Sequence, residues 1–176
     1  MKFTNIGEFL DKIDNETLDS LREKYETYIQ GKDFDNEKAM YYLKRMADEY
    51  DDVNACRELA INYNAGELIE EDFEKAKYYF EKAIEKGDIE SLYELSYMYI
   101  YGNGVDKDLE KGFNLIKQAA DKGHREAQHR VGKMLSEGVG CDLNVDEAVK
   151  YLTMAANQGD EYAVESYLMV LTSRNY

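Results

Sequence analysis

The chain has 176 residues, lacks Pro and Trp, and is 44% hydrophobic and 34% charged; its apolar part is rich in Ala, Leu and Tyr, as in amphipathic helices, so a large sheet is not expected. Its 37 acidic residues against 22 basic ones give a formal charge of -15, a field that repels nucleic acid and anionic lipid and attracts cationic proteins. Charges interrupt the opening MKFTNIGEFLDKIDNE before any apolar run suited to a signal peptide, and no later stretch approaches about 18 uncharged residues, so a soluble, cytoplasmic protein is expected. In chain order, a short helix around 4–13 is expected to cover the first of several helix pairs. The pairs follow near 16–30 and 36–50, 53–65 and 73–86, 89–101 and 109–122, and 125–137 and 145–158, with a last helix near 161–173. Nothing resembles a flexible linker, so residues 1–176 read as one domain: a cap at 1–14, a degenerate repeat at 15–51, repeats at 52–87, 88–123 and 124–159, and a half repeat at 160–176.

The repeat is visible as columns spaced 36 residues apart. Ala55, Ser91, Ala127 and Ala163 form one, and Ala76, Gly112 and Ala148 another; such small residues let helix axes approach closely. Leu59, Leu95, Val131 and Tyr167, with Tyr63, Tyr99, Leu135 and Leu171 four positions on, make the larger stripe that fills the space between helices. Gly66, Gly102 and Gly138 read as left-handed caps of the first helix of each pair, and Gly87, Gly123 and Gly159 end the second. Asp35, Asp72, Asp108 and Asn144 stand where a short acceptor can cap the second helix. Cys56 and Cys141 lie more than two repeats apart, too far for a disulfide, and read as a buried thiol and a loop thiol.

Residues 102–112, GNGVDKDLEKG, followed by QAADKGHREAQHRVG, resemble the Sel1-like repeat, a relative of the tetratricopeptide repeat. The family's loop, Asp, double Ala, Gly and closing Ala elements appear here as Gly102, Gly104, Val105, Asp108, Lys111, Ala119, Ala120, Gly123, Ala127, Val131 and Gly132. A second copy reads GVGCDLNVDEA at 138–148, with Ala155, Ala156 and Gly159; a partial one has Gly66, Asp72, Lys75, Ala76, Ala83 and Gly87. The loop GELIEEDFEKA lacks the second Gly and the Val, and Gly112 replaces the usual Ala. Nothing reproduces the disulfide that some secreted members carry in each repeat. The resemblance implies an all-α, right-handed α-solenoid of helix-turn-helix repeats with a concave groove for protein recognition.

Signatures of catalysis, metals and nucleotides do not hold. His124 and His129 are five residues apart and share no helix face, the acidic loops lack the Gly and terminal Glu of a calcium site, and the GNGV and GVG glycines follow no strand. No cofactor is expected, and the two histidines read as a loop and a surface residue. One feature exceeds the needs of the core. With Leu92, Leu95 and Tyr99 facing inward, Tyr93, Tyr97 and Tyr101 run i, i+4, i+8 along an adjoining face. If the first helix of each pair lines the concave side, the groove would hold Arg57, Ile61 and Ala65, then Tyr93, Tyr97 and Tyr101, then His129, Lys133 and Glu137, then Glu165 and Met169. Packing between repeats is the alternative for these tyrosines, as expected for Tyr78, Tyr79 and Tyr151. The expected function is a non-catalytic scaffold holding a protein or peptide, cationic by charge complementarity, with the chain a monomer or weak homodimer. The same charge suits an immunity protein that neutralises a basic toxin.

Overall fold

Among the described residues, each helix starts at a side-chain cap and continues as an apolar stripe. The computed structural model describes residues 16–30 and 35–173; the expected helix at 4–13 lies outside them. Among the described residues there are helices and no strands. They are α1 (Leu18–Gln30), α2 (Asn36–Glu49), α3 (Val53–Ala65), α4 (Phe73–Glu85), α5 (Ile89–Tyr101), α6 (Leu109–Asp121), α7 (Arg125–Glu137), α8 (Val145–Asn157) and α9 (Glu161–Ser173). Packing divides the chain into two compact units, one up to Tyr79 and one from Phe80, with the division inside α4.

In the first unit Leu21, Leu43, Leu59, Cys56 and Ala76 are fully buried. Asp35 and Asp72 cap α2 and α4, accepting the backbone N–H groups of Lys38 and Lys75 at 3.1 and 3.0 Å. Each also pairs with that lysine's ammonium, at 2.8 and 2.7 Å, and each ammonium lies 5.1 Å from a tyrosine ring centre, Tyr28 and Tyr63 respectively. The lysine bond holds both carboxyls below their ordinary range. One Asp-x-x-Lys motif therefore caps a helix and clamps it to the aromatic residue of the helix before. The degenerate opening pair keeps the backbone turn of the later repeats where it departs from their sequence. Asp51 takes the left-handed conformation, φ 50, at the position where later repeats place Gly87, Gly123 and Gly159.

In the second unit Leu92, Ile116, Val131, Met134, Leu135 and Tyr151 pack into one cluster, and Leu152, Ala155, Ala163 and Val170 into another. Two glycines are fixed by close approach. A Cβ on Gly112 would stand 2.6 Å from Ile100 Cγ1, which explains why this repeat departs from Ala in α6. Gly140, φ +71, lies against the start of α6, where an added Cβ would meet the Leu109 carbonyl carbon at 2.7 Å. Gly66, Gly102 and Gly138 close α3, α5 and α7 with left-handed φ of 66, 80 and 68, as the spacing predicts. Cys56 is buried, Cys141 is half-buried, and both are free thiols; burial first, then the nearby Asp142 carboxylate, raises the pKa of the Cys141 thiol.

One packing expectation needs correction. Tyr79 and Tyr151 are core residues, but Tyr78 is 56% exposed and touches Tyr79 only edge-on, at 5.0 Å. Adjacent helical positions are turned by about 100°, so two consecutive tyrosines cannot both face the core.

Candidate functional site

Within the second unit, α5, α7 and the start of α9 enclose a groove of about 510 Å³. Helix α5 contributes Tyr93 and Tyr97, α7 contributes His129, Arg130 and Lys133, and the turn into α9 contributes Asp160 and Tyr162. The tyrosines form an ordered row. The Tyr93 and Tyr97 hydroxyls are 3.0 Å apart with their rings edge to face at 4.9 Å, and Tyr97 stacks on Tyr101 at 5.6 Å. Burial, and then the hydrogen bond to Tyr97, raises the pKa of the Tyr93 phenol, so it remains a hydrogen-bonding hydroxyl.

The row is held from the α7 side. His124 caps α7: its Nδ1 accepts the Ala127 N–H at 3.1 Å, which places the ring proton on Nε2, 3.0 Å from Glu90. Its ring stacks on Tyr93 at 4.6 Å. The Arg130 guanidinium lies 5.8 Å from the Tyr97 ring centre and donates through Nη2 to the Tyr101 hydroxyl at 3.2 Å. Its Nε–H is buried without a hydrogen-bond partner.

His129 is not a free surface histidine. Its Nδ1 lies 3.2 Å from Asp160 and its Nε2 lies 3.0 Å from the Ser166 hydroxyl, while the other Asp160 oxygen caps α9 through the Ala163 N–H at 3.0 Å. A serine, histidine and carboxylate in sequence is the order of a nucleophilic relay. Ser166, however, sits past the first turn of α9, where its own amide is committed to the helix and cannot stabilise an oxyanion. What the chain of bonds does is tie α7 to the N-terminus of α9.

Of the residues singled out from sequence, Tyr93, Tyr97, His129 and Lys133 line this groove. Tyr101 continues the row beyond it, 56% exposed. Glu137, Glu165 and Met169 are exposed and do not line it: each further step of four residues climbs about one helical turn along α7 or α9. Arg57 and Ile61 belong to the first unit, where Arg57 Nη2 donates to Asn54 at 2.9 Å and Ile61 is 41% exposed. Sequence reasoning missed Arg130 and Asp160. A column at Asp52, Asp88, His124 and Asp160, 36 apart like the others, marks the caps of the first helices and would have placed Asp160 beside α7.

The Sel1 repeat family model matches residues 30–51, 53–88, 89–124 and 125–160. The chain belongs to the Sel1 repeat family. The first match carries the Sel1 pattern back into the degenerate opening pair, whose second helix is therefore a true repeat element. Among solved structures, this Sel1 repeat chain is similar to a protective antigen of uropathogenic Escherichia coli strains that displays an SLR fold, with 27% identity, a TM-score of 0.79 and 92% of this chain covered. It spans only 35% of the length of that antigen. It is also similar to a Sel1 repeat protein from Oxalobacter formigenes, 30% identical with a TM-score of 0.67, covering 73% of this chain and 96% of the other. Cysteine-rich protein B of Helicobacter pylori is 25% identical with a TM-score of 0.58, covering 72% and 95%. No curated protein matches the sequence significantly. Sel1 repeat proteins are helical-hairpin solenoids that generally mediate protein–protein interactions. No helix among the described residues is long and apolar enough to cross a membrane.

Proposed function

We propose that this chain is a non-catalytic interaction scaffold that holds a segment of a partner protein in the groove between α5, α7 and α9. The observation that carries this reading is the row of Tyr93, Tyr97 and Tyr101, fixed by mutual bonds and by His124 and Arg130 yet open along one side. Rigid, half-buried aromatics supply large contact area at low entropic cost, which is why Tyr and Arg recur as binding anchors. The charge of -15 supports a partner that is cationic overall, drawn in by the long-range field. It equally supports a second reading, an immunity protein that occupies a basic toxin, which would be visible as suppression of that toxin's activity.

The groove reading is tested by quantitative capture from native cell extract, comparing the intact chain with a Tyr93→Ala, Tyr97→Ala double variant. Partners should be recovered by the intact chain and bound at least about tenfold more weakly by the variant, with the helical circular dichroism signal retained. Equal affinity for every recovered partner would remove the groove from the account.

A further inference from the structure

The groove wall is formally neutral in an acidic chain: Arg125, Arg130 and Lys133 stand among Glu126, Asp160 and Glu161. Where Arg130 stands, the two preceding repeats carry Glu58 and Glu94; where Lys133 stands, they carry Ile61 and Tyr97. In a chain with 15 more acidic than basic residues, these cations would be expected to sit against carboxylates. They do not: among the described residues neither Arg130 nor Lys133 forms an ion pair. Two of the three acids of the same groove are already engaged, and the third lies at a helix N-terminus. Glu126 pairs with Arg125, Asp160 is shared between His129 and the Ala163 amide, and Glu161 sits in the first turn of α9, against that helix's positive end. Arg130 in addition keeps a buried Nε–H with no acceptor, so its guanidinium is not fully satisfied within the chain.

Resting on the reading that this groove holds a partner segment, we infer that the segment is acidic, with side-chain carboxylates seated against Arg130 and Lys133. Its intervening apolar side chains pack on Tyr97 and on Tyr162, which is 74% exposed beside them. The groove thus selects against the long-range field of the chain: the field draws in a partner that is cationic as a whole, and the groove picks out its acidic stretch. Local pairing at close range outweighs distant charge because ions screen interactions beyond about 8–10 Å at physiological salt.

The test uses the intact chain and two fluorescent peptide libraries with amidated C-termini, so that only side-chain carboxylates contribute. One alternates Asp or Glu with Leu, Phe, Met and Tyr; the other replaces the acids by Lys or Arg. The acidic library should bind preferentially and weaken with added salt. Arg130→Gln and Lys133→Gln should each reduce that binding at least about tenfold, and Lys133→Glu should turn the preference toward the basic library, with thermal melts confirming that each variant is folded. Preference of the intact chain for the basic library, lost on Tyr97→Ala, would overturn the acidic inference and leave the groove reading standing. So would acidic binding that depends on Tyr97 but not on Arg130 or Lys133. Failure of both libraries to bind, or binding indifferent to all these substitutions, would overturn both.

Discussion

Helix α3 of the first unit and helix α5 of the second are copies of one element whose outward faces carry different side chains. Inward, Ala55 and Ser91, and Leu59 and Leu95, are all buried. Outward, Arg57 and Ile61 in α3 stand where α5 carries Tyr93 and Tyr97. In α3, Arg57 is bonded within its own helix and Ile61 is exposed, whereas in α5 both rings join a bonded row along a groove. Columns that fill the core and columns that face outward are therefore separable in this fold, and substitutions should separate them.

The largest effect belongs to the core column. Leu59→Ala and Leu95→Ala should each cost about 2–5 kcal/mol in denaturant unfolding, in either unit alike, because each empties a buried site. Comparable losses in both would show the column to be structural, while Ile61→Ala, on the exposed face, should stay within about 0.5 kcal/mol. Gly140→Ala should cost about 1–3 kcal/mol through its left-handed φ and the crowded Leu109 carbonyl. The first unit has Leu68 at the equivalent loop position without a positive φ, so that loop runs by another path and Leu68→Gly should bring no gain from relieved strain. Ser91 breaks the small-residue column that Ala occupies at 55, 127 and 163, and its buried hydroxyl has no partner. Ser91→Ala should accordingly stabilise the protein by about 1 kcal/mol, read as a raised Tm.

The smallest effect is electrostatic. Glu58 accepts a hydrogen bond from the Tyr25 hydroxyl, whereas its copy Glu94 has its pKa raised by burial and then by the neighbouring Glu90 carboxylate. A raised carboxyl pKa means that the folded state holds the proton more tightly than the unfolded one, so stability falls as pH rises through the carboxyl range. Glu94→Gln should therefore raise Tm slightly at pH 7, with the advantage vanishing once the pH falls below the ordinary glutamate value of 4.5.

The helices and most of their caps were legible because they rest on local signals: a stripe at spacing four, an Asx before the helix, a Gly after it. Predicted 89–101 is observed as Ile89–Tyr101 for that reason. What crosses between helices was less legible. Tyr93 lines the groove, but its stacking on His124, and the role of that histidine as a cap where other repeats use Asp, depend on how α5 meets α7. The alternatives of groove and packing for the tyrosines also proved not to exclude each other, since Tyr93 and Tyr97 pack against the core cluster with one side and line the groove with the other. Arg130 escaped notice because an arginine on an exposed stripe looks like solvated charge until its neighbours are known.

Site-specific photocrosslinking compares the two faces most directly, with a photoreactive phenylalanine replacing either Tyr97 or Ile61 in the intact chain within native extract. The account predicts a discrete crosslinked partner from position 97 and none from position 61. Crosslinks from position 61 with none from position 97 would contradict it.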